Sequence, residues 1–148
     1  MVIINQHTWI VIANGSECKI FSANLKEKHL ELLKQFYFSE VRAHNRDLGK
    51  DKPGLFHEST HSMKHGIAPK YDLQDKEKNK FVQLIANFLN DEANAQKFNS
   101  LILTSSPKFL GEIRKQLTKH TTSMILKEDN KDLVHAKERE ILNYILST

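Results

Sequence analysis

The order of strand-like and helix-like segments constrains the fold of this chain most. Three segments rich in β-branched and aromatic residues come first, at Thr8–Ala13, Cys18–Ser22 and His29–Phe38. Asn14-Gly15, after the first segment, is typical of a tight turn because both residues tolerate positive φ angles. In the third segment apolar residues largely alternate, which predicts one buried face. The sequence therefore predicts a three-stranded antiparallel meander.

The second half of the chain alternates helical and extended patterns. Strands are predicted at Leu101–Ser105 and Met124–Lys127, and helix N-caps at Asp72, Ser106 and Asp132. The turns from Asp75 to Lys80 are polar throughout, so the first helix is predicted to begin beyond the sheet and project into solvent.

These elements describe one α/β domain spanning residues 1–148, a length that supports a single core. Right-handed crossovers place the last two strands parallel to the first. The predicted sheet is mixed, has strand order 3-2-1-4-5 and carries helices on both faces. This is the ribonuclease H-like arrangement, which also occurs in the middle domain of archaeal and eukaryotic release factors.

Between Ser39 and Tyr71 neither a helical nor a strand period persists, which predicts a long exposed loop at about residues 39–71. The chain has 22 Lys and Arg, 18 Asp and Glu, and a net charge of +4. Residues 41–70 contribute about +3 of this charge and hold four of the eight histidines. An anionic partner is therefore expected at this loop first.

The apolar runs and the single cysteine predict a cytoplasmic protein. The longest apolar run, Trp9–Ala13, is far shorter than the roughly 20 residues of a membrane-spanning helix, and no signal-peptide core is visible. Cys18 cannot form an internal disulfide, which fits a reducing compartment.

Catalytic chemistry finds little support in the sequence. A two-metal nuclease of this fold needs carboxylates on its central strands, and Thr8–Ala13 and Leu101–Ser105 contain none. His57, Glu58 and His61 form an HExxH string that would bind zinc on a helix, but no apolar stripe is present to dock that helix. We predict no catalytic residue, metal or cofactor, with these three residues as the zinc-binding alternative.

The segment Thr104-Ser105-Ser106 is explained better as a strand end and helix cap than as a nucleophile. The amides at the start of the following helix nevertheless form an anion-binding spot, and Lys108 stands beside it.

Six segments carry a resemblance to a known family: Trp9–Gly15, Lys19–Phe21, Asp51–Gly54, His61–Met63, Leu103–Arg114 and Lys131–Leu133. In this order and spacing they resemble the bacterial host attachment protein family, which is related to bacterial homologues of archaeal and eukaryotic release factors. The resemblance covers nearly the whole chain and implies a release-factor middle-domain fold.

In release factors the corresponding loop carries Gly-Gly-Gln and promotes hydrolysis of peptidyl-tRNA. Residues 55–71 of this chain contain one glycine, Gly66, and no glutamine. A Gly-Gly pair lets a backbone enter a crowded catalytic centre, so peptide release is not expected here. The family name also implies a part in attachment to host cells.

The predicted function is a non-catalytic binding module associated with translation or RNA, with the ribosome or structured RNA as partner. The residues expected to contact phosphates are Arg42, Arg46, Lys50, Lys52, His61, Lys64, His65 and Lys70. The alternatives are a solvated loop without a nucleic-acid role, a zinc-dependent or peptidyl-tRNA hydrolase, and an interaction protein that affects attachment through a protein partner.

Overall fold

The structure is a computed structural model that describes residues 7–24, 26–43 and 69–147, with only the backbone described for residues 69–74. One sheet contains the strands β1 (Thr8–Ala13), β2 (Glu17–Asn24), β3 (His29–Tyr37), β4 (Ser100–Ser105) and β5 (Ile125–Asp129). Their order is β3-β2-β1-β4-β5, with β1 antiparallel to β2 and parallel to β4. The predicted α/β fold and strand order are confirmed.

The two central strands, β1 and β4, are buried along their whole length. Side chains of a strand point alternately to the two faces of the sheet. Trp9 and Val11 accordingly pack in one apolar cluster, and Ile10 and Ile12 pack in another on the opposite face. A strand covered on both faces needs a near-continuous apolar sequence, which is why the sequence locates both strands to within one residue.

In the described part of the chain, four helices come after the helical residues 38–43 and complete the layers: α1 (Pro69–Asn94), α2 (Pro107–Gln116), α3 (Lys119–Ser123) and α4 (Glu138–Leu146). The cluster on one face includes Phe81 of α1 and Phe109 of α2, whereas the cluster on the other includes Ile141 of α4. Helices therefore cover both faces, as predicted. No helix in the described part of the chain is both long and apolar enough to cross a membrane.

The first helix differs from its prediction at its start and along its first turns. It begins at Pro69, before the expected cap at Asp72. The predicted solvent-facing turns include Glu77, whose exposed fraction is only 6%. The other five residues from Asp75 to Lys80 are exposed, so the expectation holds except at Glu77, which packs on the protein.

The closing helix, α4, also begins later than predicted. Its N-cap is Lys137, not Asp132. The Asp132 carboxylate instead accepts hydrogen bonds from Asn14 Nδ2 at 3.0 Å and from the Val134 amide at 3.1 Å. The Asp132 carboxylate therefore stabilises a local turn at Val134 and a long-range contact with Asn14, and it does not cap a helix. The five-residue helix α3 was not predicted, since it is too short to show an apolar period.

The turn after β1 forms where predicted but by another geometry. The Asn14 side-chain oxygen accepts hydrogen bonds from the amides of Ser16 at 2.8 Å and Glu17 at 3.0 Å. Neither Asn14 nor Gly15 has a positive φ angle. The side chain therefore closes this turn, and the expected left-handed backbone is not used.

The edge strand β3 contains a bulge that divides its apolar residues between the two faces. Ile20 pairs with Lys34 and Phe21 with Leu32, which leaves Leu33 as the extra residue. Leu30 therefore packs with the α4 cluster while Phe36 packs with the α1 and α2 cluster. The prediction of one buried face for this strand is wrong for this reason.

Helix replaces the predicted loop at both of its ends, because residues 38–43 are helical and α1 begins at Pro69. Residues 44–68 lie outside the described residues. Both flanks of this segment lie at the carboxyl end of the sheet, which we define as the end where β1, β3 and β4 finish. Residues 38–43 directly follow β3, and α1 runs from this end towards the start of β4.

Candidate anion-binding cleft

A cleft of about 410 Å³ opens at the carboxyl end of the sheet, between α1 and the start of α2. Gly15, after β1, and Ser106, after β4, line it from the sheet, while Val82 and Phe109 supply apolar surface from the helices. Ligands of open α/β sheets bind outside the carboxyl ends of the strands. The volume also lies within the range of roughly 300–1,000 Å³ seen for small-molecule sites.

The first turn of α2 leaves backbone amides without a helical partner. Ser106 is the N-cap and Pro107 the first residue, as predicted, and the Ser106 hydroxyl makes no capping hydrogen bond. The Leu110 amide donates to the Ser106 carbonyl at 2.9 Å. The amides of Lys108 and Phe109 precede this first helical bond, so they are available to a ligand. Amides in this position, aligned with the helix dipole, attract anions.

Two lysines from different helices line the same cleft, Lys78 on α1 and Lys108 on α2. Within the described residues, neither ammonium group has a carboxylate at ion-pair distance. Lys78 Nζ lies 6.0 Å from the centroid of the Phe38 ring and 3.8 Å from the position that a Cβ on Gly15 would take. Both positive charges are therefore available for a ligand in the cleft.

The cleft also contains two carboxylates, those of Asp75 and Glu112. One Glu112 oxygen lies 3.7 Å from Lys115 Nζ, so part of its charge is compensated by that ammonium group. Asp75 lies on α1 together with Lys78. The cleft therefore combines two ammonium groups with two carboxylates, one of which is partly compensated.

Comparison with known families decides what kind of protein carries this cleft. Residues 9–145 match the model of a family described as protein required for attachment to host cells. The chain belongs to this family. The match contains all five strands but for Thr8, and it confirms the host attachment family that the sequence segments indicated.

Among solved structures, this host attachment protein is similar to an archaeal translation termination factor, aRF1, known from a crystal structure. The two are 11% identical with a TM-score of 0.48, and the similarity covers 95% of this chain and 38% of the factor. The chain thus spans well under half the length of that factor. None of the curated proteins matches the chain.

Arg42 is the predicted phosphate-contacting residue whose side chain the structure describes, and it has a partner within the protein. Its Nε lies 3.3 Å from Oε2 of Glu77, whose side chain is 7% exposed while that of Arg42 is 45% exposed. The guanidinium carbon also lies 6.0 Å from the centroid of the Phe38 ring. Its charge is therefore partly compensated by this host attachment protein itself.

The other predicted site residues are not brought together by described contacts. Lys70 lies in the first turn of α1, where only the backbone is described. Outside the described residues lie Arg46, Lys50, Lys52, His61, Lys64 and His65, together with His57 and Glu58 of the zinc alternative. Their roles stay predictions.

The sequence identified Lys108 and the start of α2 but missed Lys78. Lys78 lies in a polar stretch that carries no motif, and only the packing of α1 against the sheet brings it to the cleft. A signal was present in the i, i+4 spacing of Lys78 and Val82, since residues four apart share a helix face. Val82 is buried in the core cluster, so its neighbour one turn earlier also faces the protein.

Cys18 is a buried thiol. Burial raises the pKa of the Cys18 thiol, and the nearby charge of Glu17 raises it further. The thiol is therefore protonated at neutral pH, whereas a nucleophilic cysteine must be a thiolate. Among the described residues, no three His, Cys, Asp or Glu side chains lie close enough to hold a metal ion.

Proposed function

We propose that this member of the host attachment family is a non-catalytic binding module associated with RNA or translation. We call residues 44–68 the basic segment. The proposed phosphate contacts come from this segment and its flanks: Arg42, Arg46, Lys50, Lys52, His61, Lys64, His65 and Lys70. The partner would be the ribosome or another structured RNA, bound mainly through its phosphates.

One observation carries this proposal. Lys78 and Lys108, which have no ion-pair partner among the described residues, line a cleft at the carboxyl end of the sheet. The described flanks of the basic segment, residues 38–43 and the start of α1, lie at this same end. Two lysines without an ion-pair partner among the described residues thus lie, beside the carboxylates of Asp75 and Glu112, at the end where the flanks of the basic segment lie. The charge of the basic segment itself favours a polyanionic partner.

Binding of a fluorescently labelled, structured RNA at several salt concentrations tests the proposal. The variant Arg46→Ala, Lys50→Ala and Lys52→Ala removes three charges and leaves Arg42 with its partner Glu77. The affinity should fall, and the slope of log K against log salt should become shallower by about 2 to 3, since each lost phosphate contact removes about 0.7 in single-stranded and about 0.9 in duplex regions.

The matched control is Lys26→Ala, Lys97→Ala and Lys119→Ala. These three exposed lysines flank elements at the opposite end of the sheet, so this variant has the same charge loss without touching the basic segment. A slope that changes equally in both variants would mean non-specific attraction to a positive protein. No binding by the wild-type chain at low salt would reject the RNA-associated function.

A second candidate, attachment to host cells through a protein partner, is favoured by the description of the matching family. Deletion of the gene should then reduce attachment, and the wild-type gene should restore it. Complementation by the triple variant of the basic segment separates the candidates. An RNA-associated role predicts that this variant fails to restore attachment, whereas a role carried by another surface predicts full restoration.

A further inference from the structure

We propose that the cleft binds the phosphate group of a small, hydroxyl-bearing phosphorylated ligand of the nucleotide class. Its phosphate would lie between the ammonium groups of Lys78 and Lys108 and the amides that begin α2. The hydroxyl of Ser105 would donate to it from beneath. This goes beyond RNA association, because a free nucleotide could occupy the cleft whether or not the basic segment binds RNA.

The first observation is a buried hydroxyl without a partner. Ser105 is fully buried, and its Oγ is the buried side-chain polar atom among the described residues that has no hydrogen-bond partner. Buried polar groups are nearly always paired, because an unpaired one keeps the whole cost of leaving water. An unpaired hydroxyl at the end of a strand, next to an open cleft, therefore points to a ligand that supplies the partner.

The position of Ser105 in β4 gives the direction of its side chain. Leu101 and Leu103 belong to the cluster that contains Val82 and Phe109. Because strand side chains alternate between faces, Ser105 faces the same helical layer. Val82 and Phe109 also line the cleft, so the Ser105 hydroxyl points towards the helical layer that forms the cleft, one residue before Ser106, which lines it.

The second observation is the set of hydrogen-bond donors that line the cleft. The cleft is lined by Lys78 and Lys108, neither of which has an ion-pair partner within the described residues. The amides of Lys108 and Phe109 precede the first hydrogen bond of α2. Hydrogen bonds from such groups to a phosphate are charge-assisted and stronger than neutral ones.

The rest of the cleft restricts the class of ligand. Asp75 is a carboxylate within the cleft, which would repel a second phosphate but accept hydrogen bonds from sugar hydroxyls. The volume of about 410 Å³ exceeds what a bare phosphate needs, and Val82 and Phe109 offer apolar surface. A nucleoside monophosphate satisfies these features together, so adenosine 5′-monophosphate is the appropriate probe.

Calorimetric titration of the full chain with adenosine 5′-monophosphate, adenosine and inorganic phosphate tests the site. The monophosphate should bind more tightly than either adenosine or inorganic phosphate. Binding of adenosine equal to that of the monophosphate, or no binding of the monophosphate up to about 10 mM at low salt, would overturn the proposal. Equal binding of inorganic phosphate would also overturn it, since it would leave only a simple anion site.

Three variants assign the contacts. Lys78→Met and Lys108→Met should each weaken binding about tenfold, the usual effect of losing a charged hydrogen-bond donor. Lys76→Met is the matched control, because Lys76 is exposed on the same helix and does not line the cleft. An equal loss with Lys76→Met would contradict the site and indicate attraction by net charge alone.

Ser105→Ala gives a readout that a merely structural serine would not give. It should weaken monophosphate binding about fivefold while leaving the thermal midpoint of the unliganded protein unchanged or raised, since the hydroxyl has no protein partner. A lowered midpoint with unchanged affinity would refute its role.

Displacement of the bound monophosphate by a short RNA would show that an RNA phosphate can occupy the cleft, whereas no displacement would show that the cleft takes free nucleotides only. Both results retain the site. Loss of RNA binding in the basic-segment variant with intact monophosphate binding would separate the two proposals.

Discussion

The ion pair between Arg42 and Glu77 allows a quantitative test of the fold around the basic segment. It joins the helical residues 38–43, where the segment leaves, to α1, where the chain returns. Arg42→Met removes the guanidinium group but keeps an apolar stem beside Phe38. The Glu77 carboxylate, which is 7% exposed, then loses its positive partner.

The expected loss of stability follows from the exposure of the two partners. Breaking a fully buried pair costs about 3–5 kcal/mol, whereas exposed pairs contribute about 0–1 kcal/mol. Glu77 is buried but Arg42 is 45% exposed, so water screens part of the interaction. We expect the free energy of unfolding to fall by about 2 kcal/mol, which lowers the thermal midpoint by roughly 4–8 °C in a domain of this size.

Urea denaturation followed by circular dichroism measures this change. Arg114→Met is the matched control, because Arg114 Nε lies 3.0 Å from Glu128 Oε1 but that carboxylate is 26% exposed. Its loss should cost less than about 1 kcal/mol. Adding Glu77→Gln to Arg42→Met should recover at least half of the stability, since it removes the unpaired charge. Equal losses for the two arginine variants, or no recovery, would refute the reasoning.

Three further outcomes are expected. Tyr144 donates a hydrogen bond to Asp129 at 2.9 Å, and this bond is the main cause that lowers the pKa of Asp129. Tyr144→Phe should therefore cost about 1 kcal/mol at pH 7. The lowered pKa of Asp129 stabilises the fold at pH values above the unfolded pKa of about 3.9, and this stabilisation is lost as the pH falls through the pKa in the folded protein. Urea titrations near pH 2 should therefore show a smaller stability difference between the wild type and Tyr144→Phe than at pH 7. Thr118→Ala should lower the free energy of unfolding in urea by about 1 kcal/mol, because the Thr118 side chain caps α3 by accepting a hydrogen bond from the Thr121 amide. Ser106→Ala should lower it by less than about 0.5 kcal/mol, since the Ser106 hydroxyl makes no capping bond to α2. Equal losses for the two variants would contradict this assignment. Cys18 should react with a thiol reagent only as fast as the protein unfolds, because the thiol is buried and protonated, and rapid labelling of the folded chain would disprove this.

Much of the sheet can be predicted from the sequence because its central strands are covered on both faces. Such strands need continuous apolar runs, and turn residues mark where they end. The bulge in β3 could not be predicted, since the even spacing of Leu30 and Phe36 indicates one face in any regular strand. The extra residue is visible only in the pairing with β2.

The candidate site was harder to predict because tertiary contacts decide it. Lys78 and Glu77 are neighbours in a uniformly polar stretch, yet one lines the cleft and the other is buried against Arg42. Asp132 has the sequence signal of a helix cap but binds Asn14, which is 118 residues away. Local sequence gives the chemistry of such residues, whereas the packing of distant elements decides which partner they meet.

The outer edge of β3 limits how this protein can recognise another chain. The Leu30 amide donates to the Glu138 carboxylate at 2.6 Å, and the bulge at Leu33 interrupts the row of groups beyond it. Strand addition requires several consecutive free amides and carbonyls along a regular edge. The sheet is thereby protected from growing into fibrils at this edge, and a partner must be recognised through side chains rather than by extending the sheet there.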